Sequence, residues 1–183
     1  MISGALDRVE ACDLAVAARQ LGRPLAGRAL AVAKRCSHGQ PQVLVTYPLL
    51  KAAEHDVAEH NVATRAGGAG PCCEPTPGVP PTWAPFPTVF WLTCPHLRSA
   101  VATLEGRGVI EDVRRIMRED VQFRLEYEEA NARYASQRIR LLDEADRARL
   151  QLDAQKDGPG AGMLRVIKES GVGGAAEWTG VKC

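Results

Sequence analysis

From Val109 to Asp157 the chain contains neither glycine nor proline, and no other feature limits its fold as much. Apolar residues recur along this run at Val109, Val113, Ile116 and Met117, then at Phe123, Tyr127, Ala130 and Tyr134, and again at Leu141, Ala145, Ala148 and Leu152. Spacings of three and four residues put them on one face of a helix. Asp120–Arg124, Glu129–Arg133 and Asp143–Arg147 add ion pairs four residues apart, each worth ~0.2–0.5 kcal/mol. Asp120 suits the cap of a new helix, so a shorter helix should precede a long charged one over 120–157. From Asp120 to Gln155 such a helix would span about 50 Å at ~1.5 Å per residue. That exceeds a small domain, so its distal end should project or pair with a protein partner.

The strand signals lie earlier. Ala29-Leu-Ala-Val-Ala-Lys-Arg35 and Gln42-Val-Leu-Val-Thr-Tyr47 flank a Ser37-His-Gly-Gln-Pro41 turn and read as an antiparallel hairpin. Pro85-Phe-Pro-Thr-Val-Phe-Trp-Leu-Thr-Cys-Pro95 supplies a third strand over 89–93. Ahead of the hairpin, Asp13 should cap a short helix running to Leu21, with Gly22-Arg23-Pro24 as its stop. Leu97, Val101 and Leu104 mark another short helix closed by Gly106 and Gly108.

Residues 51–84 look like an insertion, because seven of the twelve prolines fall between Pro71 and Pro87 beside Gly67-Gly-Ala-Gly70. Gly158-Pro-Gly-Ala-Gly162 reads as a hinge before a short helix over 163–169 and a Gly-rich tail at Gly171-Val-Gly-Gly174. The whole predicts one α+β domain over 8–183. A small antiparallel sheet of about three strands packs on helices from the N-terminus and the Leu97–Asp120 region.

Composition narrows the function classes. A net charge of +1 argues against a dedicated nucleic-acid binder. No window approaches the roughly 18 consecutive apolar residues of a membrane span. The N-terminus lacks a basic segment followed by an apolar one, so no secretory leader is expected and a cytoplasmic protein is. Six cysteines in a reducing compartment point to metal binding, thiol chemistry or burial rather than disulfides. No C-x-x-C pair occurs, which removes zinc ribbons and thioredoxin-type motifs. Two cysteines do stand out, since Cys36 and Cys94 each close a strand-like run and so suggest one site.

The runs Arg19-Gln-Leu-Gly-Arg-Pro24, Ala33-Lys-Arg-Cys36 with Gly39 and Pro41, and Pro85 to Pro95 resemble a bacterial family known only as domain of unknown function 501. Leu104-Glu105, Tyr134 near Arg138, and Gly171-Val-Gly-Gly174 leading to Val181-Lys-Cys183 extend the likeness. Members of that family look similar in continuing beyond the Lys-Cys pair into a Leu-His segment. The resemblance therefore implies a chain truncated at Cys183 and carrying 51–84 as an insertion. It also implies thiols at Cys36, Cys94 and Cys183, with a histidine following. Three thiolates and an imidazole suit tetrahedral zinc, and thiolates suit iron–sulfur clusters as well. His38 and His96, each two residues after a cysteine, are the substitute fourth ligands in this chain.

Two other function classes compete with a metal site. Cys94 with His38 or His96 would make a nucleophile–base pair, given an oxyanion hole. Alternatively the long Arg/Glu helix recruits a partner, and the thiols only support the sheet. Arg19, Arg23, Lys34 and Arg35 form a basic edge that reads as a solvated surface before it reads as an anion groove. His55-Asp-Val-Ala-Glu-His60 is not a zinc-protease motif, because its histidines are five residues apart rather than four.

Overall fold

A computed structural model describes residues 6–51, 83–156 and 158–182. Nearly all of the expected insertion, including Cys72 and Cys73, lies outside the described residues, and so does Cys183. In chain order the elements are β1 (Asp7–Arg8), α1 (Ala11–Leu21), β2 (Ala29–Arg35), β3 (Pro41–Thr46), β4 (Leu49–Lys51), β5 (Trp83–Pro85) and β6 (Phe90–Leu92). The helices α2 (Pro95–Gly106), α3 (Val109–Glu119), α4 (Val121–Arg140), α5 (Glu144–Gln155) and α6 (Pro159–Glu169) follow, with a 3-10 turn at Val172–Gly174.

The fold is α+β, as the helical and strand periodicities predict. Its sheet has four antiparallel strands in the order β1-β2-β3-β6, one more than the sequence suggests, because Asp7 and Arg8 pair with Val32 and Ala31. The β2–β3 hairpin forms around Gly39, whose φ of 74° is the left-handed conformation that a turn of this kind requires. A separate ladder, β4 with β5, pairs Leu49 with Pro85 and Lys51 with Trp83, so the two ends of the inserted stretch are tied together.

Several boundaries differ from the sequence reading. α1 begins before Asp13: Glu10 is its cap, and the Asp13 carboxylate accepts the Glu10 amide at 3.1 Å in a reciprocal capping box. The long helix over 120–157 is two helices. The Asp143 side chain accepts the Asp146 amide at 2.8 Å and starts α5, while Leu142 turns inward and is buried. Arg147 donates to the carbonyls of Ile139 and Leu142 at 3.1 and 3.3 Å, closing the end of α4. The chain therefore folds back instead of projecting. The Gly158–Gly162 stretch is no hinge but the first turn of α6, where Pro159 sits among the orphan amides and costs no hydrogen bond. Gly160 is needed there, since a Cβ would stand 2.4 Å from Asp153 Cβ.

The core has two parts. Ala17, Val32 and Leu44 pack α1 against one part of the sheet. Tyr47, Leu49, Leu142, Leu150 and Ile167 join the end of β3 and β4 to α4, α5 and α6. The Leu97–Asp120 region does not supply the core, contrary to expectation. α2 buries no residue and α3 buries only Met117, while Leu97 and Leu104 stay 41% and 49% exposed. Tyr47 anchors the second part: its hydroxyl donates to the Asp146 carboxylate at 2.6 Å and accepts the Asp143 amide at 3.1 Å. Burial, and next the Asp146 carboxylate, push this phenol's pKa upward and keep it protonated.

Arg138 of α4 is fully buried. Its Nε donates to Ile167 O at 2.9 Å, and Nη1 donates to Pro87 O at 3.1 Å and Ser170 Oγ at 3.0 Å. Nη2 donates to Ser170 O. Asn131, two turns earlier on the same face, donates to Trp178 O at 2.9 Å and accepts the Val172 amide at 2.8 Å, so the Gly-rich tail lies along α4. Tyr127 adds a bond to Gly180 O at 3.2 Å.

Gly174 completes this junction with φ +75° and a would-be Cβ 2.7 Å from Pro87 Cγ. Gly174→Ala should lose about 1–3 kcal/mol through left-handed strain and overpacking. Gly162→Ala, in a helix with nothing within 4 Å, should be neutral or gain up to about 1 kcal/mol. Urea unfolding of the two variants checks the pair, and equal midpoints would contradict the packing described.

Candidate functional site

β2 and β6 flank β3 and are both antiparallel to it, so their C-terminal ends lie at one end of the sheet. Cys36 follows β2 and donates its amide to Gln40 O at 2.9 Å. Cys94 follows β6 and donates its amide to Gln42 O at 3.3 Å. The two thiols that the sequence suggests for one site thus follow strands that end on the same side of the sheet. They do not touch through β3, however, because two strand spacings separate the flanking strands by about 9.5 Å.

Cys94 is held by its neighbours on both sides. Thr93 is buried and donates its hydroxyl to Pro41 O at 3.2 Å, which fixes the strand end. Pro95 opens α2, and the Cys94 carbonyl accepts the Arg98 amide at 2.9 Å, so Cys94 occupies the cap position. The Cys94 side chain makes no capping bond to α2, and Gln42 Nε2 lies 3.9 Å from its sulfur. The Leu97 amide, the His96 amide and Gln42 lower the thiol pKa below its usual range, against an opposing effect of burial. Cys94 is 7% exposed.

The other expected ligands within the described residues are Cys36, His38 and His96. The side chains of His38 and His96 are exposed, and Cys36 is half-buried. Among the described residues no group of three or more His, Cys, Asp or Glu side chains is placed to hold a metal. In the tail, Lys182 packs beside Gly173, and Gly174 meets Pro87 at the start of the run into β6. Thr46, which donates to Val89 O, and Gln42, which accepts from Cys94, are four β3 residues apart, or about 13 Å. Lys182 thus lies toward the opposite end of that run from Cys94.

Next to Cys36 the structure contains an ion cluster that the sequence does not reveal. Arg35 binds the buried Asp13 carboxylate with two bonds of 2.6 and 2.9 Å, Asp7 at 3.0 Å, and Gly39 O at 3.0 Å. Arg35 is consequently engaged within the fold and does not serve an anion groove. The only sequence signal was an Arg at a strand end with acidic residues far away in the chain.

The family comparison decides the chain's relations. A model described as a protein of unknown function (DUF501) matches residues 32–183. The chain belongs to that family. No curated protein and no solved structure matches it. The match begins within β2, at Val32, and includes the later strands and every described helix after them, while β1 and α1 precede it. Asp7 and Asp13, which bind Arg35, therefore lie before the matched span. Among the described residues, no helix is long and apolar enough to cross a membrane.

The Arg35 bonds hold the Asp13 pKa below its ordinary value near 3.8, followed by the opposing effect of burial. A carboxylate depressed in the folded state stabilises fully above its unfolded value of about 3.9 and loses that contribution as pH falls through the folded value. Acid titration of stability should thus be steeper in the wild-type protein than in Asp13→Asn below about pH 4. Superimposable acid limbs would contradict the clamp.

Proposed function

We propose that this protein acts through Cys94 as a thiolate, presented at the end of the sheet as a nucleophile toward soft electrophiles. The observation that carries the reading is the placement of Cys94 at the cap of α2, with Gln42 Nε2 3.9 Å from its sulfur. An anion at a helix N-terminus is favoured by the unpaired amides and by the helix dipole. His96 sits on the same first turn of α2 and is exposed. The reading names no substrate, because the sulfur environment selects a charge state and not a leaving group.

A second reading is a soft-metal site, of the zinc type, that uses Cys94 and Cys36. Its support is that both thiols lie at one end of the sheet. It needs movement of the β2 end toward β6 and further donors beyond the described residues, Cys183 among them.

Iodoacetamide labelling across a pH series, mapped by mass spectrometry, tests the first reading. Cys94 should alkylate with a midpoint below the free-thiol value of about 8.5, and Gln42→Leu should raise that midpoint. A midpoint at or above 8.5 would remove the thiolate reading. Metal content after dialysis tests the second: about one zinc per chain, lost in both Cys36→Ser and Cys94→Ser, supports it. Zinc retained in either variant excludes the shared site.

A further inference from the structure

Helix α2 buries none of its twelve residues, although an isolated helix of that length is marginal in water. Leu97, Val101 and Leu104 follow one another at spacings of four and three residues and form one apolar seam along it. Leu97 and Leu104 are exposed, and Val101 is half-buried. A helix with this pattern gains stability by covering its seam.

One flank of the seam is charged. Arg98 and Glu105 each follow a seam leucine by one residue, so they lie on the same side of it. They stand two turns apart, about 10.5 Å at ~1.5 Å per residue. Both are exposed, and both border an open groove of about 590 Å³. Arg98 makes one bond, to Gln20 O at 3.3 Å, and neither residue has an ion-pair partner among the described residues. This charge order is self-complementary, because the same flank turned end for end sets Glu105 against Arg98 and Arg98 against Glu105. In a parallel pair each charge would stand level with its own kind, and both would stay unmatched.

We propose that α2 is a dimerisation helix, which pairs antiparallel with α2 of a second copy of this chain about a two-fold axis near Val101. Leu97 then meets Leu104 of the second copy, and Val101 meets its own counterpart. Arg98 and Glu105 form an ion pair toward each end of the seam. The charge order selects the occupant. Many apolar helices would cover the leucines, but this helix reversed supplies both opposite charges at the required spacing. The seam is two turns long, so the dimer belongs to the weak, transient class. The inference does not rest on the chemistry of Cys94.

Sedimentation velocity of the full chain from about 5 to about 500 μM, in ~50 mM salt to limit screening, tests the pairing. The wild-type chain should dimerise with a constant below about 200 μM. Arg98→Glu and Glu105→Arg each set like charges face to face at both ends of the seam. Each should weaken the dimer by about tenfold or more. The double variant Arg98→Glu/Glu105→Arg should return to within about threefold of wild type. An equimolar mixture of the two single variants should dimerise in the same way, since each supplies the charges that the other faces. α2 buries no residue, so all three variants should keep the wild-type circular dichroism, and rescue by mixing separates pairing from folding. A chain that stays monomeric throughout overturns the proposal and leaves the seam to another protein or another segment of this chain. A dimer that neither single variant weakens overturns it as well. So do weakened single variants that neither the double variant nor the mixture restores.

Discussion

The guanidinium of Arg138 is the constraint on which the two halves of this molecule depend. It is fully buried, and among the described residues its acceptors are the carbonyls of Pro87, Ile167, Ser170 and Gly171 and the Ser170 hydroxyl, without a carboxylate. Burial lowers its pKa, yet an arginine remains charged at any ordinary pH. Its charge is compensated by dipoles instead. Ile167 and Ser170 lie at the end of α6, where the unpaired carbonyls form the negative end of the helix dipole. The Tyr134 ring, 5.4 Å from the guanidinium carbon, adds its negative face.

This arrangement explains why a chain of such short strands holds together. The β6 strand has three residues and, among the described residues, pairs with β3 alone, so it is marginal by itself. Arg138 ties the extended run before it, at Pro87, to both α4 and α6. Tyr134 accepts the Val89 amide at 2.9 Å and fixes the next residues of that run. The Gly-rich tail closes the same junction, because Gly171 and Gly174 allow backbone to approach Asn131 and Pro87 where a side chain would collide. Strand β6 is thereby positioned from its start, while its end delivers Cys94 to α2. The helix pair α2–α3 contributes little to the core.

Much of the fold is legible from local pattern. The β2–β3 hairpin follows from two apolar runs around Gly39, and the α3–α4 boundary follows from Asp120, whose carboxylate accepts the Phe123 amide at 3.0 Å. The break at Leu141–Asp143 was hidden because it uses neither glycine nor proline. A buried leucine and a capping aspartate override the helical tendency, and only tertiary packing decides that. Gly158–Gly162 misled for the opposite reason: its glycines serve close packing against Asp153 rather than freedom. At the candidate site, the strand ends show that Cys36 and Cys94 share one end of the sheet. They cannot show that β3 runs between them, nor that Gln42 faces the thiol, because strand order is a long-range property. Arg138 was invisible as a core residue, since an arginine on a charged helix ordinarily faces solvent.

Amide hydrogen exchange on Arg138→Met tests this account most directly. Methionine keeps much of the volume and removes every donor, leaving the carbonyls of Pro87, Ile167 and Ser170 without their cation. The account predicts that protection falls together at Val89, at the last turn of α6 and along Val172–Ala175, while the β2–β3 hairpin keeps its protection. Global stability should drop by about 3 kcal/mol or more. Unchanged exchange at all of these amides, with unaltered stability, would contradict the central role assigned to this one side chain.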